Sequence, residues 1–270
     1  MEAKNICIQQ KIILLSGQKL KSKKTSILLT LQKGKEQFQI RIRYGMQKLS
    51  GYAKVVIVLT ELDEVGPQDF NLLAELKWKK NLIINPYTKN KKLLTFAALT
   101  QDEVLLLLPM EPYNYPYKKP GEGALFIHLS LDEIDKLLSE KLTILPEAKG
   151  FATYMGDRAI ENANLLTHIF KFTGPKSLSF LDLTNSQRSL SRQTARKENV
   201  LCRRSRQINS QEQILLRFNK STIKAQKSGE AILVFKYSSQ ALKIINKQVE
   251  KLQKSNSGLL FTTFSELDVF

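Results

Sequence analysis

Cysteine, histidine and long apolar runs are what this sequence has least of, and each scarcity closes off a class of protein. Cys7 and Cys202 are the only cysteines in 270 residues, they lie far apart, and neither sits in a CxxC or CxxxC pair. No disulfide framework or structural zinc site is implied, and a reducing, intracellular setting is expected. His128 and His168 are the only histidines. Neither has a cysteine or a second histidine at ligand spacing, so each reads as structural, and no metal or other cofactor is implied. The longest apolar run, Val104 to Met110, is seven residues even counting Pro109, and that of the amino terminus, Ile12 to Leu15, is four. A bilayer span needs ~20 apolar residues and a secretion signal a longer apolar core, so neither is expected. Without GxxxxGK[ST], GxGxxG or GxSxG, nucleotide hydrolysis, dinucleotide binding and serine-hydrolase chemistry lack a local signature, and no catalytic residue is assigned on motif grounds.

Acidic residues are also scarce where basic ones are dense. The net charge is +17 and the pI about 9.7. Residues 1 to 60 carry +10, residues 61 to 170 carry −4, and residues 171 to 270 carry +11. Such a surplus points to an anionic partner: nucleic acid, an anionic membrane surface or an acidic protein.

The densest stretch, Thr184 to Gln207, holds Arg188, Arg192, Arg196, Arg203, Arg204 and Arg206, six of the ten arginines, with Lys197 and the single acid Glu198. Four-residue spacing would set Arg188, Arg192 and Arg196 on one helix face, where like charges repel unless an anion covers them. Two further stripes extend this surface. Arg217, Lys220, Lys224 and Lys227 follow one helical face, and Lys243 and Lys247 begin another. Together they predict a phosphate-binding surface driven by counterion release, with RNA ahead of DNA, in a packaging, assembly or transport role without catalysis.

Gln37 to Tyr44 alternates apolar residues with Gln39, Arg41 and Arg43, a strand with a basic outer face. It pairs in a predicted hairpin with Ser26 to Gln32 across Lys33, Gly34 and Lys35. Cys7 to Leu15, Lys54 to Thr60, Phe70 to Lys77, Lys92 to Leu99, Val104 to Leu108 and Ala124 to Leu129 read as further strands. The expected class is therefore α+β. A strand-rich domain over 1–150, a sandwich, barrel or curled antiparallel sheet, precedes a smaller basic α/β domain over 151–270. That second domain is expected to end in a βαβ unit: strand Glu230 to Tyr237, a helix capped by Ser238 or Ser239, and strand Gly258 to Phe264. The loop at 109–123 presents Tyr113, Tyr115 and Lys118, rings and charge suited to stacking on unpaired bases or to packing the loop down.

Two rival functions and one docking motif arise from particular residues. Asp63 after the strand KVVIVLT, with Glu75 and Lys77 twelve and fourteen residues on, resembles the (D)…(E)xK core of metal-dependent restriction-type nucleases. That resemblance implies two carboxylates on adjacent strands holding a divalent metal beside a lysine. Alternatively, the basic faces dock on anionic lipid, as a matrix-like protein would. The carboxyl terminus SELDVF is similar to the clamp-binding peptides of bacterial replication proteins through Leu267, Asp268 and Phe270, which implies docking on a protein partner.

Overall fold

The computed structural model describes the backbone of residues 13–20, 26–33 and 36–43, and residues 52–255 and 257–268. It divides into two compact units, Met1–Lys48 and Leu49–Phe270.

In the first unit three strands, β1 (Ile13–Leu20), β2 (Ser26–Lys33) and β3 (Glu36–Arg43), form an antiparallel sheet in the order β1-β2-β3. The hairpin expected from the alternation of 37–44 is present, with Leu29 opposite Ile40 and Leu31 opposite Phe38. Arg41 stands opposite Leu28 and Arg43 opposite Ser26. Most of the strand expected over Cys7 to Leu15, residues 7–12, lies outside the described residues.

The second unit is a parallel α/β barrel, which corrects the expectation of an antiparallel sandwich or curled sheet. Its strands are β4 (Ala53–Thr60), β5 (Asn81–Ile84), β6 (Glu103–Leu107), β7 (Gly150–Thr153), β8 (Ser179–Asp182), β9 (Cys202–Arg204), β10 (Gln207–Ile208), β11 (Glu230–Lys236) and β12 (Leu259–Thr262). Every pairing among them is parallel, in the order β10-β11-β4-β5-β6-β7-β8-β9, with β12 on β4. Strands β9 and β10 are two halves of one run, broken only at Ser205 and Arg206. The first half pairs with β8 and the second with β11, so this run joins the two edges of the sheet. Counted as one, it makes eight parallel strands.

The physical reason for parallel pairing lies in the strand sequences. VVIVL in β4, NLII in β5 and EVLLL in β6 are buried along their whole length rather than on alternate residues, as strands covered on two sides must be. Odd and even positions then feed two separate cores. Val55, Ile57 and Leu59 pack with helix residues such as Leu73, Leu93, Leu138, Leu166, Phe218 and Ile245, the layer between sheet and helices. Val56 and Val58 pack with Ile83, Leu105, Leu107, Leu181 and Val234 and with no helix residue, which identifies the inside of the barrel.

Two segments expected as strands are helices. Phe70 to Lys77 falls largely in α1 (Pro67–Glu75), and Lys92 to Leu99 in α2 (Lys91–Leu99). Their starts decide the matter: Pro67 at the first turn with Asp69 accepting from the Gly66 N–H, and Asn90 accepting from Leu93 N–H. Ala124 to Leu129 forms only one bridge, Met110 to Leu125. The remaining helices are α3 (Leu131–Ile144), α4 (Ala163–Thr173), α5 (Ser191–Lys197), α6 (Ile214–Ser228) and α7 (Ser239–Lys254). Residue 150, expected as a junction, opens the inner strand β7. The terminal βαβ unit is formed by β11, α7 and β12, whose two strands pair with β4 on opposite sides.

The residues after β12 close the amino-terminal base of the barrel. Strand β12 occupies the edge of β4 over Ala53–Val56, and β5 takes the same edge from Val58 on. Buried Asn81 stands at the fork, donating to Ile57 O (3.0 Å) and accepting from Phe264 N–H (2.8 Å). Phe264 and Leu267 then enter the interior core, and Ser265 donates its N–H to buried Glu103 at 3.0 Å.

Candidate active site at the carboxyl ends of the barrel strands

In a parallel barrel the βα loops gather side chains from separate strands at the carboxyl end, where such folds carry their chemistry. Four of these ends here carry carboxylates. After β4, Glu61 has φ of +56°, a left-handed conformation that a non-glycine residue holds at a cost and that is enriched at functional sites. Its carboxylate accepts from Lys236 Nζ at the end of β11 (2.6 Å) and from Gln207 Nε2 (2.6 Å). Contact with Glu61 pushes the Lys236 pKa up. Asp63 follows, exposed.

After β6, Glu111 is 3% exposed and accepts from Ile127 N–H (2.9 Å) and from Arg158 Nη1 (2.7 Å). After β7 come Tyr154, Asp157 and Arg158. Burial, then the nearby charges of Glu61 and Asp63, raise the Tyr154 pKa. Gly156, at φ +140°, lies where a Cβ would come within 2.5 Å of Met110 Cβ, so this turn needs glycine.

Asp182, the last residue of β8, is fully buried and fully partnered. Oδ1 accepts from Thr184 N–H (2.9 Å) and Thr184 Oγ1 (2.7 Å), and Oδ2 from Ser189 Oγ (2.7 Å), Ser191 Oγ (2.7 Å) and Arg204 Nε (2.8 Å).

The arginine stretch is therefore not one charged helix face. Helix α5 begins only at Ser191, so Arg188 precedes it while Arg192 and Arg196 lie on it. Repulsion is relieved by acids supplied from elsewhere in the chain. Arg188 pairs with Glu161 (3.1 Å) and donates to Tyr113 Oη (2.6 Å), Arg203 pairs with Glu230 (2.6 Å), and Arg204 pairs with Asp182. Hydrogen bonds from Ser186 and Tyr113, with the Arg188 charge, hold the Glu161 carboxyl below its usual range. Lys197 and Arg206 are exposed, as are Arg217, Lys220, Lys224 and Lys227 along α6 and Lys243 and Lys247 along α7. In the loop after β6, Tyr115 packs on Phe126 at 4.8 Å, whereas Tyr117 and Lys118 are exposed. Side-chain placement of Arg41 and Arg43 lies outside the described residues. Of the nuclease constellation, Glu75 ends helix α1 and Lys77 follows it, so the two adjacent strands that arrangement requires do not form. At the carboxyl terminus Leu267 is 4% exposed and belongs to the barrel interior.

Sequence reading missed Glu61, Glu111, Asp157, Arg158, Glu161 and Asp182. A signal existed: an acid follows closely on each of the buried runs VVIVLTE, VLLLLPME, GFATYMGD and SFLD. Carboxylates recurring at the ends of separate strands mark a parallel barrel mouth.

The second unit is thus a parallel α/β barrel of the TIM-like class with ionisable side chains collected at its strand carboxyl ends. The divergent polysaccharide deacetylase family matches residues 63–267, and the chain belongs to that family. Its fold is also that of an uncharacterized protein from Agrobacterium tumefaciens, at TM-score 0.70 and 20% identity over 82% of this chain and 91% of that one. A β-glucuronidase from an uncultured Clostridium sp. aligns at TM-score 0.36 and 11% identity over 78% of this chain and 42% of that one, too distantly to bear on the fold. No curated protein matches the sequence.

Family membership corrects the expected nucleic-acid binder, and with it the RNA-binding and ribonucleoprotein reading, the non-enzymatic role and the nuclease and matrix-like alternatives. The physical ground of the error is the pairing described above: much of the arginine charge neutralises carboxylates of the same barrel. Among the described residues no helix is long and apolar enough to cross a membrane.

Deacetylation is chemistry for which a Lewis-acid metal is a common means, and a catalytic zinc site takes about three protein ligands. The residues here do not fit one. Among the described residues no group of three or more His, Cys, Asp or Glu is placed to hold a metal ion. His168 lies on α4, paired with Asp135 at 2.8 Å, and His128 packs beside Phe126. Glu61, Glu111 and Asp182 already face protein cations.

Proposed function

We propose that the protein removes an acetyl group from a saccharide at the carboxyl end of its barrel, using its own carboxylates rather than a resident metal. The observation that carries this reading is the gathering of Glu61, Asp63, Tyr154 and Lys236 at that end of the barrel, in a chain of the polysaccharide deacetylase family. A carboxylate of Glu61 or Asp63 takes a proton from water as the water oxygen adds to the acetyl carbon. The Lys236 ammonium and the Tyr154 hydroxyl supply donors for the oxyanion that develops. Collapse breaks the acyl bond, and the proton passes to the departing sugar oxygen or nitrogen, leaving acetate. The strained backbone at Glu61 supports a functional role for that residue.

The test is acetate release from N-acetylated and O-acetylated oligosaccharides by the full chain, before and after chelator treatment. Release that survives chelation and falls at least ~100-fold in Glu61→Gln, with an unchanged melting temperature, is expected. Release that appears only when a divalent metal is added overturns the metal-free step. No release from any acetylated sugar overturns the reading as a whole.

A further inference from the structure

A cavity of about 360 Å³ opens at the seam where β9 hands over to β10. It is lined by Arg192, Arg203, Arg204, Arg206 and Lys224, with Thr184, Gln187, Ser205 and the start of β11. The volume falls in the ~300–1,000 Å³ range of small-molecule sites. Two of its cations are spoken for: Arg203 by Glu230, the one acid in the lining, and Arg204 by Asp182. The side chains of Arg192, Arg206 and Lys224 make no hydrogen bond or ion pair with any described residue. Unmatched positive charges converging on one concavity focus an attractive field there.

The cavity wall is also built rather than draped. Ser205 Oγ donates to Ile232 O (3.1 Å) and Arg204 Nη2 to Ser186 O (2.6 Å), while Arg204 Nε is held by a carboxylate with no exposure. Two guanidinium groups are thus fixed by partners on neighbouring strands and loops, and the free cations surround them. Planar guanidinium donors match the oxygens of carboxylate, sulfate and phosphate. The Arg203 fork is already taken up by both oxygens of Glu230, so the donors left to meet an anion are those of Arg192 and Arg206 beside the Lys224 ammonium.

We propose that this seam cavity is an oxyanion site that receives the acidic substituent of a saccharide, a carboxylate, sulfate or phosphate ester. The oxyanion half stands on the cavity alone, and the saccharide half rests on the deacetylase reading of the barrel mouth. Substrates of this protein are accordingly acidic glycans.

Calorimetric titration of the full chain tests it, with a uronate-bearing oligosaccharide, a sulfated one, their neutral counterpart, and inorganic sulfate and phosphate. Acidic oligosaccharides are expected to bind at least ~10-fold more tightly than the neutral one, with inorganic anions competing weakly. The preference should vanish in the Arg192→Gln, Arg206→Gln, Lys224→Gln triple variant and survive in Glu61→Gln. Should the triple variant not fold, Arg206→Gln alone is expected to weaken it and Arg206→Lys to restore part of it. Equal binding of acidic and neutral sugars, or a preference untouched by these substitutions, overturns the site. Inorganic anions binding as tightly as the acidic oligosaccharides overturns the saccharide half. Intact preference without acetate release overturns the reading of the mouth and leaves the oxyanion site standing.

Discussion

Arg204 and Asp182 lie side by side on adjacent strands, guanidinium Nε 2.8 Å from Oδ2, and the carboxylate has no exposure while the arginine side chain retains about a third. One end of the pair is thus locked in the protein and the other reaches the seam. Replacing Asp182 by alanine strands the partly buried Arg204 and leaves the hydroxyls of Thr184, Ser189 and Ser191 without their acceptor. Loss of about 3–5 kcal/mol is expected in urea denaturation, with Asp182→Asn losing less because it keeps acceptor oxygen.

Lys141 on α3 is a buried cation whose ammonium has no hydrogen-bond partner among the described residues and sits 4.2 Å from the Tyr87 ring centroid. Burial lowers its pKa to about 8, against the opposing pull of Glu122 and Glu140. The folded pKa lies below the unfolded value near 10.5, so the unfolded chain holds the proton longer. Stability should therefore rise as pH climbs from about 8 to about 10.5. Lys141→Met should flatten that rise and stabilise the protein at neutral pH by on the order of 1–3 kcal/mol, less whatever the ring contact contributes. A melting-temperature series against pH, wild type beside variant, checks it.

The tail after β12 acts as the floor of the barrel, so its two apolar residues should behave as core. Phe264→Ala is expected to cost about 3–5 kcal/mol and Leu267→Ala about 2–5 kcal/mol. Chemical denaturation measures the loss. A cost below ~1 kcal/mol for both would mean the tail does not seat in the interior.

Glu266 in that tail gives a pH signature of opposite sign to Lys141. Partial burial works to raise its pKa, but Lys79, Thr262 and the Thr263 N–H together outweigh it and bring the value down to about 2. Its contribution is complete above about 4.5 and is lost as pH falls from there toward 2. Because its side chain is about two-fifths exposed, solvent screens much of this. Glu266→Gln should remove that acid-side slope in stability and leave neutral stability within about 1 kcal/mol of wild type, as urea midpoints at pH 3, 5 and 7 would report.

Four of the nine barrel strands could be read in the chain, while β5, β7, β8 and the run of β9 and β10, and the parallel direction of the pairing, could not. Lys54 to Thr60, Val104 to Leu108 and the closing β11-α7-β12 unit are where the apolar runs put them. The error spread from 37–44, whose clean alternation belongs to a separate antiparallel sheet, whereas VVIVL and VLLLL are continuous and so two-sided. Phe70, Leu73 and Leu76 recur at three-residue spacing behind Gly66 and Pro67, a helix start that outweighs strand-like composition. At the site, the arginines were legible because they cluster in sequence. Their partners Glu161, Asp182 and Glu230 are 22 to 27 residues away in the chain and meet them only through the fold.

The edge of β4 that β5 completes above is completed below by β12, whose first residue is made roughly two hundred residues after its partner Ala53. At ~5–20 residues per second, a ribosome takes about 10–40 s to cover that distance. During that interval Val56 and the inner faces of β5 and β6 have no floor beneath them. The base of this barrel therefore closes only once β12 has been made, long after β4, β5 and β6 are available to pair.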